Sequence, residues 1–202
     1  MKIINYGHAC FQIISDDFSL LFDPYQNGSV PGLKLPQIET DYVLISHEHH
    51  DHNAIEIVKV REGKRLNCKT ILIPRDKENG ALRGMNKIHI VEVEGLRIAH
   101  FGDIGVLPEN YEELNDLDIV LVPINGLYTI GAKEALELFS NIKAKCLIPM
   151  HYFNFEEKTG YEDGGQIDIL LSSLNEYTLI NSDEYVFGPN CEGVYIFKKA
   201  RN

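Results

Sequence analysis

The chain contains 202 residues, of which 44% are hydrophobic and 24% are charged, and its formal net charge is −11. This composition is ordinary for a globular protein with a sizeable core, and no Pro/Gly/Ser-rich linker divides it, so we expect a single domain over residues 1–202. The acidic balance argues against nucleic-acid binding, which requires a basic surface.

Three features of the sequence lead us to expect a cytoplasmic protein. The N-terminal segment Met1–Gly7 lacks the apolar region of a signal peptide, and no stretch approaches the roughly 18 apolar residues of a membrane span. The cysteines are scattered without a C-x-x-C pair, which favours reduced thiols; they are Cys10, Cys68, Cys146 and Cys191. The oligomeric state stays open, a homo-oligomer included.

Strands dominate the predicted secondary structure. Apolar runs bounded by turn residues predict strands at 2–6, 10–15, 19–22, 42–46, 69–73, 88–93, 96–101, 118–123, 145–149, 177–180, 185–187 and 193–198. Helices are predicted at 109–115, 132–139 and 166–174. Residues 54–60 fit either a short helix or a strand, and we favour a helix because Asn53 can cap it. Loops are expected at 25–40, 75–86 and 153–166. Many strands with a few helices between them indicate two packed sheets with helices outside.

The most informative stretch is a strand that ends in ligand-type residues. Residues 42–45 are apolar and favour a buried strand, whereas residues 47–52 are all histidines or acids. Four imidazoles and two carboxylates are costly to desolvate unless they are paired or bound to metal. Imidazole and carboxylate groups are good ligands for zinc, iron and manganese. We therefore expect a metal site here rather than a solvated polar loop.

The spacing within this cluster divides its members between two ions. In an extended segment His47 and His49 face the same way, so they can share one ion. Asp51 and His52 follow after the chain turns, so they can serve a second ion.

Two other predicted strands end in the same manner. Asp103 follows the strand at 96–101, and His151 follows the strand at 145–149. Strand ends at one edge of packed sheets converge, so we expect both residues to lie near the histidine cluster.

The motif His47-x-His49-x-Asp51-His52 resembles the signature of the metallo-β-lactamase-fold hydrolases. Further matching motifs are Tyr6-Gly7-His8-Ala9, Leu21-Phe22-Asp23-Pro24, Phe101-Gly102-Asp103, Asp118-Ile119-Val120-Leu121, Thr129 with Ala135, and Ile148-Pro149-Met150-His151-Tyr152. Together they resemble the small branch that includes the ascorbate-phosphate lactonase and N-acyl phosphatidylethanolamine phospholipase D types. The resemblance implies an α+β fold, a four-layer αββα sandwich of mixed sheets with the metal site on one edge.

The resemblance also implies a ligand set for one or two divalent metal ions. The implied ligands are His47 and His49 for the first ion, Asp51, His52 and His151 for the second, and Asp103 as the bridge. Zinc is the expected metal, with manganese or iron as alternatives. The implied reaction is attack of a metal-bound hydroxide on an ester, lactone, amide or phosphodiester bond. Asp51 would orient the hydroxide or move its proton, and the residual positive charge would suit a small anionic substrate.

One position departs from the family pattern. The family supplies a third histidine to the first ion from the loop before the bridging aspartate, and Arg75 stands at that place. A guanidinium stays protonated and offers no lone pair. Three alternatives stay open: a weakened or absent first ion, another ligand filling in (His8 or His100), or a different alignment of the loop. Arg75 can also present its charge to a substrate phosphate or carboxylate.

The remaining histidines and one acid have weaker signals. His8 and His100 are candidates for substrate binding or for support behind the ligands, and structural hydrogen bonds are the alternative. His50 is expected to face solvent or to support a ligand from behind rather than to bind metal, and His89 is expected on an exposed strand face. Asp23 is expected to orient the histidine loop rather than to bind metal.

Two further classes of function compete with a metal-dependent hydrolase. The first is a metal-binding protein of the same fold whose first site is impaired by Arg75 and which hydrolyses little. The second is a redox-active iron protein, which would need an electron-carrier domain that the sequence does not show.

Overall fold

The computed structural model describes residues 1–61, 66–162 and 166–202. The strands are β1 (Lys2–Asn5), β2 (Phe11–Ile14), β3 (Ser19–Phe22), β4 (Glu39–Thr40), β5 (Tyr42–Leu44), β6 (Lys59–Val60), β7 (Cys68–Pro74), β8 (Met85–Val93), β9 (Leu96–His100), β10 (Ile119–Pro123), β11 (Cys146–Met150), β12 (Thr178–Ile180), β13 (Glu184–Val186) and β14 (Gly193–Phe197). The α-helices are α1 (Ala132–Ile142) and α2 (Ile167–Ser172), and 3-10 turns span Ile55–Ile57 and Glu112–Leu114.

Two mixed sheets form the centre of the fold. One has the strand order β13-β1-β2-β3-β5, the other has the order β12-β14-β11-β10-β9-β8-β7, and β4 pairs with β6 separately. Strands β3 and β5 are parallel in the first sheet, and β9, β10 and β11 are parallel in the second. The loops that follow β3, β5, β9 and β11 meet at one edge of the fold, where the histidine cluster lies.

A hydrophobic core lies between the two sheets. The first sheet contributes Phe11, Ile13, Leu20 and Phe22, and the second contributes Val91, Ile98, Ile119, Leu121 and Ile148, all at most 2% exposed. Burying one such side chain stabilises the fold by about 1.5–3 kcal/mol, so this layer holds the two sheets together.

The outer faces of the sheets are covered differently. Helix α1 packs Ala135 and Leu138 against Val120 and Val122 of β10. The N–H of Gly131 donates to Glu134 Oε2 at 2.7 Å, which satisfies one of the unpaired donors at the start of α1. On the other side, apolar residues of the segment 25–38 pack on the five-stranded sheet. The predicted α+β sandwich of two mixed sheets is confirmed.

Two predicted helices are wrong in type. Residues 54–60 form only a 3-10 turn followed by β6, because Asn53 does not cap a helix and Lys59–Val60 pairs with β4 instead. Residues 109–115 contain only the 3-10 turn Glu112–Leu114. The other two predicted helices are present with shifted ends. Residues 163–165, which belong to the predicted loop at 153–166, lie outside the described part of the chain.

Two expectations about burial are also wrong. The strand that leads into the histidine cluster, β5, is only half-buried, because it lies at the edge of its sheet. His89 is 4% exposed rather than solvent-facing. It lies on β8 inside the seven-stranded sheet, and its Nε2 bonds to the carbonyl of Ile45 at 2.8 Å. The four cysteines are unpaired, and no helix in the described residues has the length and apolar character of a membrane span.

Candidate metal centre

The predicted metal ligands converge at the edge formed by the ends of β5, β9 and β11. Their donor atoms fall into overlapping groups whose members lie within 4.8 Å of one another: His8 with Asp51, His52 and His151; His47 with His49 and Asp51; and His47 with His52 and Asp103. His8, a candidate of uncertain role in the sequence, thus joins the six predicted ligands. His50 is exposed.

Asp23 controls the orientation of two of these imidazoles. Its Oδ2 accepts hydrogen bonds from Ser46 Oγ at 2.6 Å and from His52 Nδ1 at 2.8 Å. Because the Ser46 hydroxyl proton is committed to Asp23, Ser46 Oγ accepts from His47 Nδ1 at 2.9 Å. Both Nδ1 atoms therefore carry protons, and the Nε2 atoms of His47 and His52 point into the centre. Such carboxylate–imidazole contacts commonly fix ligand histidines in metal sites.

Four buried atoms at the centre lack hydrogen-bond partners in the described structure, namely His47 Nε2, Asp103 Oδ1, His151 Nδ1 and Arg75 Nε. The nitrogens His52 Nε2 and His151 Nε2 lie 3.3 and 3.4 Å from Asp103 Oδ1 without bonding to it. Ligand atoms at about 2.0–2.2 Å from one tetrahedral ion are about 3.3–3.6 Å apart. Unpaired buried donors and acceptors at this spacing fit a divalent metal ion.

Burial and charge set the protonation of the centre. Burial lowers the pKa of His47 and of His151 to about 3, so both rings are neutral at pH 7. Burial also opposes the charging of His52, but the carboxylates of Asp103 and Asp23 outweigh it and raise the pKa of His52 to about 9. The His52 proton therefore occupies the centre in the metal-free protein, and a metal ion would replace it.

Arg75 lies inside the centre and is only 4% exposed. Its Nη2 donates to Asp103 Oδ2 at 2.6 Å, and its Nη1 donates to His49 Nδ1 at 3.0 Å and to the carbonyl of Arg83 at 3.2 Å. An arginine cannot accept a hydrogen bond, so the His49 lone pair is committed to Arg75.

The position of Asp103 depends on a buried asparagine and on a close backbone contact. Asn86 Oδ1 accepts from the N–H of Asp103 at 2.9 Å, and Asn86 Nδ2 donates to the carbonyl of Phe101 at 2.8 Å. Gly102 has a φ of 52°, and a Cβ there would lie 2.3 Å from both Asn86 Oδ1 and Ser46 Cβ. His100 bonds through both ring nitrogens to backbone, at Ala9 O (2.9 Å) and Gly102 N (3.2 Å). His100 thus lies behind the centre, supporting the turn before Asp103.

Three residues of the centre adopt left-handed backbone conformations, which are uncommon outside glycine. Their φ values are 57° for His8, 43° for Asp23 and 57° for His151. The N–H of His151 donates to the carbonyl of His8 at 2.9 Å, and their ring centroids are 3.9 Å apart. Left-handed residues persist where the surrounding structure holds them, often at functional sites.

A cleft of about 320 Å³ opens onto the centre. Besides His49, Asp51, Arg75, Asp103 and His151, its lining contains Arg83, Tyr128 and Tyr161. Tyr161 OH donates to the carbonyl of Ser29 at 2.7 Å and lies 3.4 Å from Asp51 Oδ2. A larger cavity of about 690 Å³ lies beside β7 and residues 106–114, but no histidine lines it. The smaller cleft is therefore the candidate substrate site.

Sequence reasoning did not single out several residues of this site. Tyr161 and Tyr128 lie in loops with no recognisable pattern, and only the fold brings them to the cleft. Asn86 and Arg83 lie in the predicted loop at 75–86, but their contacts with Asp103 and Tyr128 could not be read from the sequence. One sequence feature could have indicated a role for Asn86, namely a polar residue at the start of the largely apolar strand β8.

The fold and the centre together define a class of protein: a sandwich of two mixed sheets with a cluster of histidine and aspartate side chains on one edge. A family profile described as "Beta-lactamase superfamily domain" matches residues 2–151. The chain belongs to this superfamily.

Individual relatives agree with this assignment. A protein of Staphylothermus marinus named a metal-dependent hydrolase is 31% identical over 194 residues, covering 77% of this chain and 85% of the relative. A protein of Natranaerobius thermophilus with the same name is 28% identical over 185 residues, and the match covers 75% of this chain and 83% of the relative. A crystal structure from Thermotoga maritima, described as a Zn-dependent hydrolase of the metallo-beta-lactamase superfamily, is 28% identical with a TM-score of 0.75, and the match covers 97% of both chains.

Proposed function

We propose that this protein is a metal-dependent hydrolase that cleaves an ester, lactone, amide or phosphodiester bond in a small anionic substrate. The observation that carries the proposal is the convergence of imidazole and carboxylate groups at the 320 Å³ cleft, among them the buried atoms His47 Nε2 and Asp103 Oδ1, which lack hydrogen-bond partners. The enzyme class agrees with the relatives named metal-dependent hydrolases. The four unpaired cysteines support a reducing, cytoplasmic setting.

The predicted ligands His47, His49, Asp51, His52, Asp103 and His151 are the residues that would hold the metal, with zinc as the first choice and manganese or iron as alternatives. A bound divalent ion would act as a Lewis acid on the substrate and lower the pKa of water to about 7.

Asp51 is the residue best placed to act on a proton. Burial opposes its ionisation, but the hydrogen bond from His8 and the charge of His52 keep the pKa of Asp51 below its usual range, so the carboxylate is ionised. Its Oδ2 lies 3.3 Å from His8 Nε2, and its side chain is 20% exposed to the cleft. An ionised carboxylate at the cleft floor can orient an attacking water and accept its proton.

The cleft supplies positive charge and an aromatic wall for the substrate. Arg83 is exposed at its rim, bonds to the carbonyl of Leu127 at 2.8 Å and lies 5.5 Å from the ring centre of Tyr128. Arg75 adds a buried charge beside Asp103. Guanidinium groups bind carboxylate and phosphate well, which supports an anionic substrate.

The proposal is tested with metal-reconstituted protein and a panel of chromogenic phosphodiesters, lactones, esters and amides. We expect turnover of one bond class and a fall of at least about 100-fold in kcat for Asp51→Asn, because general-base assistance is worth about 10²–10⁴. Glu48→Gln is the matched control, since Glu48 is an exposed acid in the same segment.

One observation favours a second candidate, a metal-binding protein with little hydrolytic activity. Arg75 already bonds to Asp103 and His49, two of the residues expected to hold a first ion. Stoichiometric metal binding without turnover of any bond class in the panel would support this candidate over the hydrolase.

A further inference from the structure

We infer that this centre holds a single divalent ion, bound by His8, Asp51, His52 and His151 beside Asp103, and that the Arg75 guanidinium replaces the first ion. The inference rests on the proposed function in one respect, namely that the centre binds metal. It adds His8 to the ligand set and removes the first ion.

Arg75 engages the groups that a first ion would need. The ligands implied for the first ion are His47, His49 and Asp103. Asp103 Oδ2 accepts a hydrogen bond from Arg75 Nη2 at 2.6 Å, and His49 Nδ1 accepts one from Arg75 Nη1 at 3.0 Å. Only His47 Nε2 is left, 3.6 Å from Asp103 Oδ2. A metal ion there would have to displace a permanently charged group and would be repelled by it.

The backbone on both sides of the Arg75 side chain is closely packed. The carboxylate of Asp76 accepts hydrogen bonds from four backbone N–H groups, at Glu78, Gly80, Leu82 and Arg83, with distances from 2.6 to 3.2 Å. Gly105 packs so closely that a Cβ on it would lie 2.0 Å from the Arg75 carbonyl oxygen. Arg75 is therefore an integral part of the centre rather than a surface side chain that happens to fold inward.

The second position offers a nearly complete ligand set that includes His8. His8 Nε2 lies 3.3 Å from both His52 Nε2 and Asp51 Oδ2, and Asp51 Oδ2 lies 3.8 Å from His52 Nε2. These separations are close to those of atoms that share one ion. The left-handed backbone of His8 and its hydrogen bond to His151 hold the two rings together.

The charges of the centre also balance with one ion. Asp51, Asp103 and the buried Asp23 contribute three negative charges, and one divalent ion with Arg75 contributes three positive charges. One ion therefore neutralises the centre without a second metal.

Metal stoichiometry tests the inference independently of activity. Bound metal is removed with a chelator, and the protein is reconstituted with Zn²⁺ or Co²⁺ and desalted. The number of metal ions per chain is then measured by inductively coupled plasma mass spectrometry. A parallel Co²⁺ titration is followed by visible absorption. We expect one equivalent in the wild type and in His49→Ala, and at least a tenfold loss of affinity in His8→Ala. The exposed His50→Ala is the matched control.

Two variants of Arg75 test its role directly. We expect Arg75→His, or the smaller Arg75→Ala, to take up a second equivalent, because Asp103 Oδ2 and His49 become available. A single equivalent in both variants contradicts the replacement of an ion by Arg75. The inference is also contradicted if the wild type binds one ion and this ion is lost in His49→Ala but kept in His8→Ala.

The outcome also separates this inference from the proposed function. Two equivalents in the wild type overturn the inference and leave a metal-dependent hydrolase standing. A wild type that binds no metal under any of these conditions overturns both.

Discussion

Asp23 shows how a residue outside the cleft determines what the cleft can bind. It is completely buried, and its carboxylate accepts hydrogen bonds from the Ser46 N–H, the Ser46 hydroxyl and the His52 ring. Burial works against its charge, but His52 and His100 keep the pKa of Asp23 below its usual range. One ionised group thereby directs the Nε2 atoms of His47 and His52 toward the same point.

His89 provides a residue-scale prediction about pH. Burial lowers the pKa of His89 in the folded protein, so the ring is neutral there. In the unfolded chain the same ring becomes protonated near pH 6.5, roughly the unperturbed pKa of histidine. Its contribution to stability is therefore full above about pH 6.5 and is lost as the pH falls toward the folded pKa. Urea unfolding of the metal-free protein between pH 7.5 and 5 should show the wild type losing stability relative to His89→Gln. A constant difference between the two proteins across this range would contradict the prediction.

At the scale of elements, the turn after β9 positions Asp103. Gly102 combines a left-handed φ of 52° with contacts of 2.3 Å between a hypothetical Cβ and both Asn86 and Ser46. Asn86 holds the Asp103 backbone, and Ser46 belongs to the Asp23 network. A side chain at this position would thus disturb both networks at once.

We predict that Gly102→Ala destabilises the protein more than Gly84→Ala. Gly84 also has a positive φ, 82°, but a Cβ there would meet nothing within 4 Å. Gly84→Ala should cost about 1–2 kcal/mol from the left-handed backbone alone. Gly102→Ala should cost a further 1–3 kcal/mol, roughly, from overpacking, and should weaken metal binding. Equal unfolding free energies from urea denaturation would show that the close contacts at Gly102 relax without cost.

At the scale of the whole molecule, the sequence predicted the two-sheet fold and the convergence of the side chains that are proposed as metal ligands. Residues 47–52, Asp103 and His151 each follow a strand, so the fold class alone brings them to one edge. The burial of His89 could not be predicted, because alternation along β8 assumes that one face of the strand meets solvent. The site contacts of Tyr161 depend on packing between distant loops, which has no local sequence signal. The motif around His8 left its role open between a site residue and a structural hydrogen bond.

The centre joins the two sheets, since Asp51 and His52 follow a strand of the first and Asp103 and His151 follow strands of the second. An ion held by both should therefore stabilise the entire fold. At a free metal concentration of 100 times Kd the gain is about 2.7 kcal/mol, which corresponds to a rise in Tm of about 5–11 °C for a domain of this size.

We predict that chelation lowers the Tm by this amount in differential scanning calorimetry and that added Zn²⁺ restores it. In His151→Ala the metal-dependent shift should largely disappear, because that variant removes an imidazole ligand that follows a strand of the second sheet. In His50→Ala it should persist. A shift of the same size in His151→Ala would mean that His151 does not hold the ion.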